Sequence, residues 1–397
     1  MVVVRREVAG LRNALLTCCF GFHLFRRRCR QTRGLKRCLR SRPRLSAYAA
    51  APFAVRSREA SYHGEVAYDL AIDLGTSRCR VATRGGGIVV DQASVVAIDG
   101  RTKSAVQIGA AAEAMIGSTT KPVRAVWPLV QGSIADYDTA VRLLRFLLRV
   151  AGGSRFGRPK VLLSVPRTAT NIERRALGKA ASEAGAARVR LLDQSVAAAV
   201  ELSLPLDQPT GSMVCDLGAG KSEVAVLSMG GIVSSRGIRL GGVDLDDAIA
   251  TYLRVTKGVV ISRVVAGAVK AQLVTLLPGG DEVTVELAGR TIDQGLPTTV
   301  TITAGELRPT VDEFVRQIVS TVVQCLSEAP PEVAQDIIFH GIHLVGGGSL
   351  LHGFAHTLET ATAVPVHLHE DPAVIAVSGL QRCLDLDARL EDLFTEV

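Results

Sequence analysis

The chain has 397 residues, 47% hydrophobic, 21% charged and 4% aromatic, enough apolar residue for two or more packed cores and too much for a disordered tail or linker. Its best apolar run, Ala14 to Phe25, is twelve residues long with His23 inside it, short of the ~18 that cross a bilayer. The net charge of +8 splits by position: residues 1–66 hold fifteen Lys/Arg against three acids, a charge of +12, and the remaining 331 residues carry −4. A near-neutral body excludes the basic stripe of a nucleic-acid-binding surface, so no nucleic acid is expected as partner.

Residues 1–66 mix an apolar patch (Leu15, Leu16, Phe20, Phe22, Leu24, Phe25) with Arg26-Arg27-Arg28-Cys29-Arg30 and further arginines to Arg44. Three readings of this basic extension stand. One is an anchor on an anionic membrane, where each basic residue gains on the order of 1 kcal/mol. A cleaved export signal is the second, although its arginines should precede the apolar run and here they follow it. The third is a disordered segment or a start-site artefact, because it has no periodicity and the patterned body begins abruptly at Ala67. Cys18, Cys19, Cys29 and Cys38 lie in this segment, whereas Cys79, Cys215, Cys325 and Cys383 are scattered singly through apolar stretches. With no CxxC pair, the cysteines read as small hydrophobes in a reducing compartment.

From Val66 onward strand and helix signals alternate at short spacing, which predicts an α/β fold. Ala67 to Leu74 reads as a strand, Arg78 to Thr83 as its hairpin partner, Gly85-Gly86-Gly87 as a turn, and Ile88 to Val90 with Ser94 to Ile98 as further β structure. Tyr137 to Val150 carries Val141, Leu144 and Leu148 at helical spacing, Lys160 to Val165 is a buried strand, and Asn171 to Ala184 is a helix with Glu173, Arg174 and Arg175 facing solvent. Trp127 is expected to pack in a core or between subdomains. Ser212 to Leu227 then repeats the opening: an apolar strand ending in Asp216, a glycine turn, a second strand. Such a repeat suggests duplicated domains facing a cleft. Glycine lets backbone N–H groups approach a phosphate, and an Asp ending each strand can hold a hydrated divalent cation. A third glycine turn, Gly346-Gly347-Gly348, follows the strand Gly341 to Val345 and is expected to open a helix beside a flat ligand such as a purine.

Two further patterns carry less. His340, His343, His352, His356, His367 and His369 cluster late, with His352 and His356 at helical i, i+4 spacing, but the glutamate of a HExxH zinc site is absent. Lys221-Ser222 resembles the end of a P-loop whose first glycine and spacer are missing.

The ordered series AIDLGTS (71–77), GSIADYDTAVRLLRF (132–146), VPRTATNIERRALGKAASEAGA (165–186), CDLGAGKSEVAVLS (215–228), PPEVAQDII (330–338), LVGGGSLLHG (344–353) and EDPAVIAVSGL (370–380) resembles the actin-like ATPases, and within them the bacterial rod-shape-determining MreB/Mbl family. The resemblance covers nearly everything from Tyr68 to Leu384. It implies an actin-like fold of two ribonuclease-H-like domains around a nucleotide cleft: domain I over 67–210, domain II over 211–384 with the chain returning to domain I near its end, and a tail over 385–397. It further implies ATP with Mg²⁺ as cofactors, homopolymer filaments, a cytoplasmic position peripheral on the inner face of the membrane, and partners in cell-wall synthesis or morphogenesis.

Carried over residue by residue, Asp73, Gly75 and Thr76, with Ser77 and Arg78, match the first phosphate loop, and Asp216, Gly218, Ala219 and Gly220 the second. Asp73 and Asp216 would hold Mg²⁺ through water. Gly267 and Lys270 fall on the nucleoside contact, and Gly346, Gly347, Gly348 and Ser349 on the adenosine turn.

The departures concentrate at the catalytic positions. The family's Thr-Ala-Asn-Thr is here Thr76-Ser77-Arg78-Cys79, and Arg78 either adds a phosphate contact or crowds the pocket. Its Ile-Glu-Glu-Pro is Leu192-Asp193-Gln194-Ser195, its Gly-Gly-Gly-Thr-Thr is Gly218-Ala219-Gly220-Lys221-Ser222, and the nucleoside glutamate is Gly267. Asp193, Gln194, Lys221 and Ser222 therefore stand at substituted catalytic positions. Water positioning tolerates such changes poorly, so nucleotide binding is expected to outlast hydrolysis, leaving a weak ATPase at most. The resemblance places the family's membrane-inserting loop on Gly153-Ser154-Arg155-Phe156-Gly157-Arg158, one aromatic among arginines, suited to a weak contact multiplied by a filament. The alternative is a degenerate scaffold that binds nucleotide weakly, does not hydrolyse it and acts through partners; a sugar-kinase or chaperone ATPase reading ranks behind both.

Overall fold

The structure, a computed structural model, describes residues 69–117, 122–152, 157–385 and 394–396. The basic extension, Phe156 and its neighbours 153–155, and most of the tail lie outside the described residues.

Leu70–Leu74 is a fully apolar strand up to Asp73, and it centres a six-stranded sheet in the order 395–396, Arg188–Asp193, Lys160–Val165, Leu70–Leu74, Arg78–Thr83, Gly87–Ala93. It pairs antiparallel with its hairpin partner, Asp73 opposite Arg80, and parallel with Lys160–Val165. A five-stranded sheet repeats this plan in the order Gly231–Ile238, Ser222–Ser228, Ser212–Leu217, Ile342–Val345, Val366–Leu368. There Asp216 lies opposite Glu223, and Ser212–Leu217 runs parallel with Ile342–Val345. The parallel central strands are buried on both faces, which is why they read as unbroken Val/Leu/Ile runs. Residues Thr395 and Glu396 of the expected tail pair antiparallel with Leu191 and Arg190 at the edge of the first sheet.

Helices Tyr137–Val150 and Asn171–Ala184 cover the outer face of the first sheet with Val141, Leu144, Leu148, Leu177 and Ala181. Asp136 caps the first by accepting from the Thr139 N–H, and Thr170 with Glu173 forms a capping box on the second. Gly242–Thr256, Arg263–Leu273 and the 24-residue Ala304–Ser327 cover the second sheet. Between the sheets lie Gln194–Glu201 and Ile375–Asp385, whose alanines, valines and leucines pack against Ala71 and Leu162 of one sheet and Val214 and Ala225 of the other. That shared core fixes the floor of the cleft where both Asp-ending strands stop.

Four expectations need correction. The β run predicted from Ser94 to Ile98 starts later, because Ser94 is buried and bonded to the first glycine turn (N–H to Ser77 O, Oγ to Gly75 O at 2.6 Å); Val96–Asp99 then joins a separate three-stranded sheet with Ala105–Ile108 and Val123–Val126. Gly347–Leu350 makes one 3-10 turn, and the α-helix begins only at Phe354. Glu173 and Arg174 do not face bulk solvent, since both are ion-paired as described below. His352 precedes that helix and bonds to Thr275 Oγ1 at 2.8 Å, so the i, i+4 pair with His356 is not realised. Trp127 packs with Ala93, Val95 and Ala97, and the Arg263 guanidinium lies 5.4 Å from its ring centre.

Candidate functional site

The two Asp-ending strands and the late glycine turn converge on a cleft of ≈ 540 Å³. Each hairpin turn closes the same way: the Gly75 N–H donates to Arg78 O at 3.1 Å, and the Gly218 N–H to Lys221 O at 2.9 Å. The second turn is backed by the start of helix Gly242–Thr256, whose Gly242 and Val243 N–H groups bond to the Gly218 and Ala219 carbonyls. Two glycines have no substitute here. Gly346 has φ 81, and a Cβ would stand 2.4 Å from Asp216 Oδ1; a Cβ on Gly220 would stand 2.4 Å from Thr76 Oγ1 on the facing turn.

At the floor, Asp73 Oδ1 accepts from Ser164 Oγ at 2.6 Å and from Gln194 Nε2 at 3.2 Å. The Gln194 Oε1 is buried and has no hydrogen-bond partner among the described residues, an orphaned acceptor beside a carboxylate. Burial pushes the Asp216 carboxyl up to about 6, with Lys221 opposing and Glu223 and Asp73 adding to the rise. Facing carboxylates in a poorly solvated cleft are held apart by repulsion unless a cation sits between them. The site therefore fits a hydrated divalent cation.

Among the residues expected to bind nucleotide, Asp73, Gly75, Thr76, Ser77, Arg78, Asp216, Gly218, Ala219, Gly220, Lys270, Gly346, Gly347 and Gly348 line the cleft, as do Gln194, Lys221 and Ser222. Arg78 is committed sideways, its Nε 2.6 Å from Asp91 Oδ1, and the same carboxylate meets Arg80 at 3.3 Å.

Four expected residues are differently employed. Asp193 points to Arg174 at 2.6 Å and Arg167 at 3.3 Å and does not line the cleft. Ser222 is 1% exposed and its hydroxyl donates to Leu240 O at 2.7 Å, closing a strand end. Ser349 donates to Gly346 O at 2.6 Å, bracing the turn from behind. Gly267 stands outside the lining, and a side chain there would meet the Asp246 carboxylate at 3.5 Å.

Asp246, which the motifs did not flag, joins the lining, whereas Glu223 and Glu173 stand outside it. Asp246 pairs with Lys270 Nζ at 2.8 Å, and that ammonium also donates to Gly242 O at 2.7 Å. Burial raises the Asp246 carboxyl, while Lys270 opposes the rise. Glu223, 2% exposed, accepts from Lys221 Nζ at 2.5 Å and from the Arg167 N–H at 2.7 Å, joining the second hairpin to the loop that follows Lys160–Val165. Glu173 accepts from Ser133 Oγ at 2.6 Å and from Arg239 Nη2 at 2.8 Å; the Ser133 hydrogen bond foremost holds its carboxyl at about 2. A sequence signal existed for Glu223: it stands two residues after Lys221 where the turn runs into strand Ser222–Ser228, the spacing that puts side chains of extended chain on one face. None existed for the pairing of Asp246 with Lys270, which meet from separate helices.

Three of the late histidines, His343, His367 and His369, gather at an edge of the second sheet. His343 Nδ1 lies 3.1 Å from His369 Nε2, and burial pushes the His343 imidazole down to about 4. Among the described residues no three His, Cys, Asp or Glu side chains are grouped to hold a metal ion, and no helix is long and apolar enough to cross a membrane.

A twice-used sheet plan, each copy bringing an aspartate to one cleft at the penultimate residue of its central strand, defines an actin-like protein. Known proteins agree. The MreB/Mbl protein family matches residues 67–392. Over 342 residues the chain is 37% identical to the cell shape-determining protein MreB of Escherichia coli (strain K12), covering 84% of this chain and 99% of that protein. It is 33% identical over 320 residues to the cell shape-determining protein Mbl of Bacillus subtilis (strain 168), covering 80% and 96%. The crystal structure of MreB 5 of Spiroplasma citri bound to AMPPNP superposes with a TM-score of 0.76 at 30% identity, covering 83% of this chain and 99% of that one. The chain belongs to the MreB/Mbl family.

Proposed function

We propose that this chain is an actin-like cytoskeletal protein of cell shape determination, which binds ATP with Mg²⁺ between its two hairpin turns and assembles with copies of itself. The observation that carries the reading is the convergence of Asp73, Asp216 and the orphaned Gln194 Oε1 on one glycine-walled cleft. The solved relative from Spiroplasma citri, bound to AMPPNP, supports a nucleotide as occupant. Backbone N–H groups of the turns at Gly75 and Gly218 would receive phosphate oxygens, Lys270 would meet the nucleoside, and the turn Gly346–Gly348 would lie along it. Asp73 and Asp216 would hold the hydrated cation, which supplies charge neutralisation to the phosphates. Gln194 would orient a water through Oε1 without taking its proton. Asp193 and Ser222, bonded elsewhere, take no part. The membrane contact through Phe156 and the cell-wall partners belong to the same proposal and rest on the sequence resemblance.

The experiment is titration of purified protein with a fluorescent ATP, with and without Mg²⁺, followed by sedimentation. Saturable Mg-ATP binding and nucleotide-dependent pelleting are expected. Binding too weak to saturate, with no pelleted material, would favour the scaffold reading instead.

A further inference from the structure

Lys221 is the cleft's unusual charge. It replaces the first threonine of the family's Gly-Gly-Gly-Thr-Thr, and its stem runs beneath Gly132, whose added Cβ would stand 2.9 Å from Lys221 Cδ. The lysine is 9% exposed and lines the cleft with Asp73, Thr76, Asp216 and Gln194. An ammonium has three donors, and among the described residues one is used, on Glu223 at 2.5 Å. Glu223 is itself held by the Arg167 N–H from the loop after Lys160–Val165, so it anchors the ammonium instead of following it. The result is an ammonium paired with the Glu223 carboxylate and fixed at the phosphate end of the cleft, with donors left over, where relatives place a hydroxyl.

We infer that Lys221 is a tethered cation that recognises the terminal phosphate of a nucleoside triphosphate, so that this chain prefers ATP to ADP without a divalent ion. The inference rests on the nucleotide reading above and deepens it. A divalent cation is shed by chelation; a lysine is not. With the lysine in place, the third phosphate gains a charge-assisted hydrogen bond that ADP cannot make. The metal then becomes an addition to triphosphate recognition instead of its precondition.

The test measures dissociation constants of ATP and ADP in EDTA and in Mg²⁺, for the natural chain and for Lys221→Thr, which restores the family residue. Lys221→Met serves as a second variant, since it keeps the stem over Gly132 and removes only the charge. In EDTA the natural chain should bind ATP about ten- to a hundredfold more tightly than ADP, the range of a hydrogen bond to a charged group, and both variants should bring the ratio close to one. Thermal unfolding of each variant confirms that it is folded. If Mg-ATP binds normally but the ATP-to-ADP ratio in EDTA is near one in the natural chain, or is unchanged in both variants, the inference is overturned while the nucleotide reading stands. Absence of binding to either nucleotide in every condition overturns both.

Discussion

Replacing Gly379 by alanine tests whether the two central helices are forced together by the sheets they separate. Gly379 lies in Ile375–Asp385 against Gln194–Glu201, and a Cβ there would stand 1.8 Å from Ala197 O and 2.5 Å from Ala197 C. An ordinary carbon–oxygen contact is about 3.3 Å or longer, so the helices must part by on the order of 1.5 Å. They have no free side to move toward, because apolar residues of both sheets pack against the same pair. Overpacking of this kind costs about 1–3 kcal/mol, more when the obstacle is backbone. Alanine returns about 1 kcal/mol of helix propensity, so with backbone as the obstacle, at the upper end of that range, the net loss is about 2 kcal/mol. For a fold of this size that lowers the melting temperature by about 5 °C. Differential scanning calorimetry on Gly379→Ala reads it, and the sign decides the matter. A freely adjustable crossing would leave only the propensity gain, so an unchanged or raised melting temperature refutes the reasoning.

Gly346→Ala forces a side chain into a φ of 81 and against the Asp216 carboxylate; ATP affinity should fall more than about tenfold, and isothermal titration with affinity within twofold of the natural chain's would count against the site. Gln194→Glu places an acceptor of protons beside Asp73 and should speed single-turnover ATP cleavage by about tenfold or more, whereas Asp193→Glu, still bound to Arg174, should change it little; equal effects from both would mean that Asp193 leaves its arginines to reach the cleft. Glu173 carries the pH prediction: its carboxyl sits at about 2 against an ordinary 4.5, so its contribution is complete above about 4.5 and disappears as pH falls toward 2. Urea unfolding of Glu173→Gln should therefore show a shallower loss of stability across that window than the natural chain, and parallel curves would remove Glu173 as a source of the dependence.

Local pattern determined a large part of this protein. Tyr137–Val150, Lys160–Val165 and Asn171–Ala184 are legible to the residue because apolar spacing and flanking caps act over a few positions. The two hairpins are legible for a similar reason, since an apolar strand, an aspartate, a glycine turn and a second strand leave the chain one compact way to fold back. The family motifs at 71–77, 215–228 and 344–353 also mark the three walls of the cleft in the sequence itself. Tertiary structure decided which charges face that cleft. Asp193 and Gln194 are neighbours in sequence, yet one is drawn out to Arg174 and Arg167 while the other turns in to Asp73. Adjacent side chains point apart at a strand-to-helix junction, and only the arginines arriving from another helix and loop settle which goes where. Asp246 reaches Lys270 from a separate helix, and Arg167 reaches Glu223 from the loop after a strand of the other sheet, pairings that no window along the chain contains. Charge is a long-range property of the folded cleft, whereas periodicity is a short-range property of the chain, and that difference divides what could be read from what had to be seen.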